Sequence, residues 1–178
     1  MLGTYETYKL QLIWLDNQNR RGVYGFYRSY MPYARISRKE QIALLINDVE
    51  TLSPDSGIKA KQINDDQHTC HYDSDIKAKQ IIAAIRLRPI GEFNLLIGML
   101  VHPDHRGKGI GHQVLNGIAD KLLSNETYLF ALPHLVGFYQ NHGFSQDIQA
   151  PNDIQQLFDK YTSQDKDLVM MGYIQINN

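Results

Sequence analysis

Apolar side chains recur along this chain with two different periods. Tyr8, Leu10, Leu12 and Trp14 fall on alternate positions and predict a strand over Tyr8 to Leu15. Val23, Phe26, Tyr27, Tyr30 and Met31 are spaced as on one face of a helix. Asn17 or Asn19 is placed to cap that helix, and Gly22 and Gly25 weaken it. Gln41 to Glu50 (QIALLINDVE) reads two ways. Ser37 and Glu40 form a capping-box pattern ahead of a helix, while the same apolar run suits a buried strand, and periodicity alone does not choose. Further strands are predicted over Ile81 to Pro89, Asn94 to Val101, Tyr128 to Leu132 and Asp167 to Ile176. Helices are predicted from Ile110 to about Ser124, from His134 to Asn141 with Gly143 as its stop, and from Asn152 to Tyr161. Strands interleaved with helices indicate an α/β (α+β) layered fold.

Between residues 51 and 79 the pattern lapses into a polar stretch, where IKAKQI occurs at Ile58 to Ile63 and again at Ile76 to Ile81. One repeated hexapeptide is no solenoid, and it reads as a local duplication inside an insertion. At 178 residues the expectation is one domain over 1–178, with a peripheral helix at about 152–161. Eighteen Lys and Arg against nineteen Asp and Glu leave a net charge of −1, without the basic footprint of a nucleic-acid or anionic-membrane binder. Cys70 is the sole cysteine, which excludes an intrachain disulfide and a multi-thiolate zinc site. Leu95 to Val101 is too short to cross a bilayer, and the N-terminus lacks the pattern of a secretory signal, so a cytoplasmic location is expected.

Candidate chemistry concentrates in Arg106-Gly-Lys-Gly-Ile-Gly111, between a predicted strand and a predicted helix. A helix N-terminus leaves about four N–H groups unpaired and carries roughly half a positive charge. Glycines there let an anion approach the backbone, and Arg106 and Lys108 add charge, so the loop suits a phosphate or pyrophosphate. A P-loop would need Ser or Thr after Lys108, where Gly109 stands; a dinucleotide fingerprint would need its third glycine at His112. A tight turn without a ligand accounts for the same glycines.

About thirty residues on stands Gly137-Phe-Tyr-Gln-Asn-His-Gly-Phe144, a Y-x-x-x-G-F pattern. Arg106, Gly109 and Gly111 after Val101-His-Pro103, followed by this second element, resemble the GNAT-type N-acetyltransferase superfamily, from about Ile81 to Phe144. The resemblance implies a mixed, mostly antiparallel sheet of about six or seven strands flanked by helices, splayed between the strands at about 94–101 and 127–132. It implies acetyl-CoA as cosubstrate, no metal, and transfer of the acetyl group to a primary amine of a small molecule or peptide by direct attack. Backbone groups of Leu100 and Val101 would then pair with the pantetheine arm, and Gly98 would supply the bulge that splays the strand. The amides of Gly107, Lys108, Gly109, Ile110 and Gly111 would cradle the pyrophosphate, with Arg106 opening that cradle. Tyr139 would donate a proton or hydrogen bond to the departing thiolate and contact the cosubstrate there, its phenol being protonated at neutral pH. On its own, Tyr139 would more ordinarily pack its ring beside Phe138.

Two departures from the family pattern stand out. Leu132 occupies the place of an asparagine that contacts pantetheine in many relatives, and Gly98 that of a glutamate base. An alkyl amine of pKa near 10.4 needs about 4.6 kcal/mol to be neutral at pH 7, and His134, His142, Glu92 or a water chain are the candidates to assist. A CoA-binding regulatory module without turnover, or a nucleotide-binding protein, are the competing readings, and a homodimer is open. His68, Cys70, His71, Asp73 and Asp75 form a weak metal pattern with no partner motif. Arg86 and Arg88 share a strand face and could grip a substrate carboxylate, or simply be charges at a strand edge. Tyr24, Tyr27, Tyr30 and Tyr33 suit core or rim packing, or the border of an acceptor pocket. His102 and His105 suit the solvated surface of the glycine loop.

Overall fold

In the computed structural model, which describes residues 9–15, 20–48, 81–164 and 166–174, the ambiguous run is a strand. Strand β2 (Gln41–Asp48) lies between β1 (Lys9–Trp14) and β3 (Ile81–Ile90), antiparallel to both. Ile42, Leu44 and Ile46 bury against helix α1 (Arg21–Tyr30), while Ala43 and Leu45 join the core on the opposite face. A strand covered on both sides loses its polar alternation, so its sequence could not be told from a helix. Glu40 caps nothing; it is buried at the head of β2. Helix α1 begins at Arg21 after Arg20, and the residues expected to cap it, Asn17 and Asn19, lie outside the described residues, as do the insertion, its repeat and the His/Cys cluster.

Strand β4 (Phe93–Val101) continues antiparallel to β3, followed by α2 (Ile110–Gly117), β5 (Thr127–Ala131), α3 (Val136–Gln140), β6 (Phe144–Ser145), α4 (Asn152–Thr162) and β7 (Val169–Tyr173). Together they make one seven-stranded sheet in the order β1-β2-β3-β4-β5-β7-β6, antiparallel except where β4 meets β5. That parallel pair is joined through α2, as a parallel connection requires. The helix predicted to run past residue 120 stops at Gly117 and gives way to a 3₁₀ turn at Ala119–Lys121. Glycine is a poor helix former, and a Cβ at 117 would stand 2.9 Å from a Leu12 methyl, so this position serves close packing instead. Ile118 and Leu122 are buried all the same. No helix among the described residues is long and apolar enough to cross a membrane.

Helices α1 and α4 cover one face of the sheet and α2 the other. Leu87 belongs to the α2 side, so its neighbours Arg86 and Arg88 point to the α1/α4 side. There they meet Glu40: Arg86 Nη1 donates to Oε2 at 2.7 Å and Arg88 Nε to Oε1 at 2.9 Å. These arginines are neither a free carboxylate clamp nor charges at a strand edge. Burial opposes the charge on Arg88, but its bond and attraction to Glu40 outweigh that and raise its pKa. Arg86 also donates to the Arg35 carbonyl (3.0 Å), and Arg20 donates to the carbonyls of Ser37 (3.0 Å) and Glu40 (2.5 Å). The loop between α1 and β2 is thereby held by its main chain. Removing Glu40 would leave the Arg86 charge buried without its carboxylate, which typically costs 3–5 kcal/mol. Glu40→Ala should therefore lower the unfolding free energy by about that amount in urea titration; a change under about 1 kcal/mol would mean the pair contributes only as an exposed one does.

Candidate active site

Strand β4 carries one residue too many for its partner. Ala84 pairs with Leu100 and Arg86 with Ile97, leaving a bulge at Gly98, which takes φ +62. A Cβ at this position would stand 2.5 Å from Arg86 Nε, so the guanidinium occupies the space a side chain would fill. A glutamate here would be strained by φ +62 and would have to displace the Arg86 guanidinium. Tyr27, almost fully buried, donates its hydroxyl to the Gly98 carbonyl at 2.5 Å, and Arg86 lies 4.9 Å from the centre of its ring. Burial foremost keeps that phenol protonated, its pKa well above the ordinary value. The bulge reverses which face each residue addresses: Leu95 and Ile97 face the α1/α4 side before it, and Leu100 does so after it, while Met99 and Val101 turn to the α2 side.

Past Leu95, already ahead of the bulge, β4 and β5 separate. They pair only at Asn94–Thr127 and Leu95–Tyr128, so the expected splay is present. The His102 N–H donates to the Ile82 carbonyl (2.8 Å), and alternation from that bond directs the amide of Leu100 at β3 and those of Met99 and Val101 at the gap. Met99 thus replaces Leu100 as the backbone neighbour of Val101 along the opening. The repeat of side chains on strands would have located it, had the bulge been counted.

Gly107 and Gly109 both take φ +72, Gly109 immediately before α2. A Cβ at either would meet nothing within 4 Å, so the loop's inner surface is open. Among the described residues, no backbone carbonyl outside the helix accepts from the N–H groups of Gly107 to His112. Arg106 and Lys108 spend donors on the loop itself, Arg106 Nε on the Val101 carbonyl (3.2 Å) and Lys108 Nζ on the Asp104 carbonyl (2.8 Å). Gly111 allows Phe138 of α3 to pack on α2, where a Cβ would stand 3.1 Å from the ring. His102 bonds the Tyr30 hydroxyl at 2.7 Å, tying α1 to the end of β4; His105 is half-buried, its ring 5.7 Å from that of His102.

Tyr139 reaches the gap from α3, its hydroxyl 3.8 Å from Met99 Sδ. Burial pushes its pKa up to about 12, so the phenol is protonated at any working pH. It lines a cavity of about 930 Å³ together with Gly98, Met99, Phe130 and Leu132, extending to Tyr33 and to α4. Tyr33 is exposed at this rim and Tyr27 lies beneath it, whereas Tyr24 and Tyr30 are at the surface of α1. None of His134, His142 and Glu92 lines the cavity. His142 instead shares a 2.8 Å hydrogen bond with His112, joining the end of α3 to α2. Among the described residues no group of three or more His, Cys, Asp or Glu is placed to hold a metal ion.

Residues 65–146 match the acetyltransferase (GNAT) domain family. That stretch carries a GNAT acetyltransferase domain. A search of curated proteins finds no match. Among solved structures the GNAT fold is shared with Escherichia coli ElaA (14% identity, 94% of this chain and 99% of that one, TM-score 0.55). It is shared too with the E. coli ribosomal-protein-S18-alanine N-acetyltransferase (12%, 96% and 97%, 0.52) and with an acyl-CoA N-acyltransferase from Pseudomonas aeruginosa (12%, 93% and 99%, 0.51). As a GNAT-domain protein the chain is an acyltransferase, and its sheet is the mixed, mostly antiparallel one expected.

Gly109→Val puts branched carbons where no protein atom interferes and strains a left-handed residue by about 1–2 kcal/mol. Calorimetry should show CoA affinity lost while the chain stays folded; retention of wild-type affinity would remove the loop from the site. Burial, and then His112, lower the His142 pKa from its usual 6.5. The unfolded chain therefore takes up this proton first as pH falls, and stability should decline below about pH 6.5. In urea unfolding from pH 7.5 to 5.5, His142→Gln should show a smaller decline than the wild type.

Proposed function

We propose that the chain transfers the acetyl group of acetyl-CoA to the primary amine of a small molecule or peptide by direct attack. The observation carrying this reading is the gap between β4 and β5, with open amides at residues 107–112 at one end and the Tyr139 phenol beside Met99. The pantetheine arm would lie along β4 and pair with the backbone of Met99 and Val101, as an added strand does. The diphosphate would take the free N–H groups at the start of α2, with Arg106 and Lys108 adding charge around it. Leu132 offers no side-chain hydrogen bond to the arm, so backbone pairing carries more of that contact. The protein would act in the cytoplasm, where acetyl-CoA is available.

In the reaction the amine nitrogen bonds to the thioester carbonyl carbon, and the Val101 N–H is placed to stabilise the oxygen as charge develops. The C–S bond then breaks and the sulfur leaves as a thiolate. A phenol near pKa 12 facing an ordinary thiol near 8.5 would lose its proton only at a cost of about 5 kcal/mol. Tyr139 therefore acts as a hydrogen-bond donor to sulfur more than as a full acid. The amine's surplus proton leaves through water, because the cavity lining holds no carboxylate among the described residues. That same feature favours the second reading, a CoA-binding module without turnover. Release of free CoA with a panel of amines separates the two, since the module binds CoA and releases none.

A hydrogen bond to a charged group contributes about 1.5–3 kcal/mol. Tyr139→Phe should therefore lower kcat roughly 10- to 150-fold with little change in the KM for acetyl-CoA; an unaltered kcat would exclude Tyr139 from the chemistry.

A further inference from the structure

The cavity that ends at Tyr139 opens on the α1/α4 face, across the sheet from the amide loop. Among the described residues its charged lining is of one sign. Arg35 comes from the loop after α1, Arg86 and Arg88 from β3, and Lys160 and Lys166 from α4 and the segment after it. No carboxylate stands among the described lining residues. Glu40, buried beneath, neutralises one of these five cations and is saturated by the two arginines that hold it. Arg35, Lys160 and Lys166 are exposed, and Lys166 lies 5.4 Å over the ring of Tyr161. Arg86 keeps a buried Nε with no hydrogen-bond partner among the described residues. A chain of net charge −1 has thus gathered a local positive excess in one concave site.

We propose that the acceptor is an anionic amine, one carrying a carboxylate or phosphate besides the nitrogen it presents to Tyr139. This inference rests on the acetyl-transfer reading and names its substrate class. The CoA diphosphate does not account for these cations, because its cradle lies on the α2 side. A walled groove of one sign concentrates ions of the opposite sign and repels polyamines. Arginine and lysine suit carboxylate and phosphate alike, arginine through paired N–H donors. The surplus charge also acts on the reacting group: an ammonium among cations has a lowered pKa, which raises the neutral fraction where no base is at hand.

The test uses the purified full chain with saturating acetyl-CoA and matched acceptors. These are amino acids against their amides, O-phosphoethanolamine against ethanolamine, and spermidine. Free CoA is followed with a thiol reagent and the products by mass spectrometry. The charged member of each pair should show kcat/KM at least tenfold higher, with spermidine poorest, and the two pairs separate carboxylate from phosphate as the anion. Lys160→Glu and Arg35→Glu should each raise the KM for the charged acceptor and narrow its advantage, while calorimetric affinity for CoA stays unchanged. Equal or better use of neutral or cationic amines, or an advantage untouched by both variants, overturns the inference while leaving acetyl transfer standing. Failure to bind CoA, or to release it with every amine, overturns the acetyl-transfer reading instead.

Discussion

One surplus residue in β4 sets the geometry on which the site depends. At Gly98 the chain adopts a conformation costly for any residue with a Cβ, and the Arg86 guanidinium lies where that carbon would be. Tyr27 fixes the carbonyl of the same residue from below. The bulge is therefore held on both sides, by a cation anchored to Glu40 and by a phenol anchored in the α1 core. Past this point the strand's inward and outward faces exchange and β4 stays bonded to β3, its pairing with β5 having ended at Leu95. An unpaired strand edge inside a protein is ordinarily a liability. Here it is the surface on which a linear ligand can lie.

The sheet keeps two sets of elements on opposite faces. The glycine loop, α2 and α3 lie on one side, and α1, its following loop and α4 on the other. The cavity reaches Met99 and Tyr139 where the strands have separated. Burial of Tyr139 follows from this position, and so does its reluctance to ionise. Arg106 and Lys108, although they begin the anion loop, brace its carbonyls in this conformation.

Much of this was legible in the residues, for reasons that differ from element to element. The glycine loop and Tyr139 stand in short motifs whose backbone demands are local, so the turn before α2 and the helix that carries Tyr139 could be read from spacing. The bulge at Gly98 was readable as a glycine inside a strand. What stayed hidden depended on partners distant in sequence. Glu40 looked like part of a helix cap because its true partners, Arg86 and Arg88, lie more than forty residues away. Strand β2 lost its alternation because both faces are buried, and the helix from residue 110 was overextended because Gly117 meets Leu12 of another element. The two-residue β6 is too short to leave a pattern. Met99 was missed by one position, the amount by which a bulge displaces a count.

At residues 35 and 37 the loop from α1 to β2 is gripped by Arg20, Arg86 and Arg88 through carbonyl oxygens, and at its end the Glu40 carboxylate holds the last two arginines. Every amino acid supplies a carbonyl, so the grip is blind to what residues 35 and 37 are. Mutational drift at residue 35, which lines the cavity, would reshape that wall without loosening the backbone grip, so the cavity's chemistry is free to vary while the scaffold beneath it stays fixed.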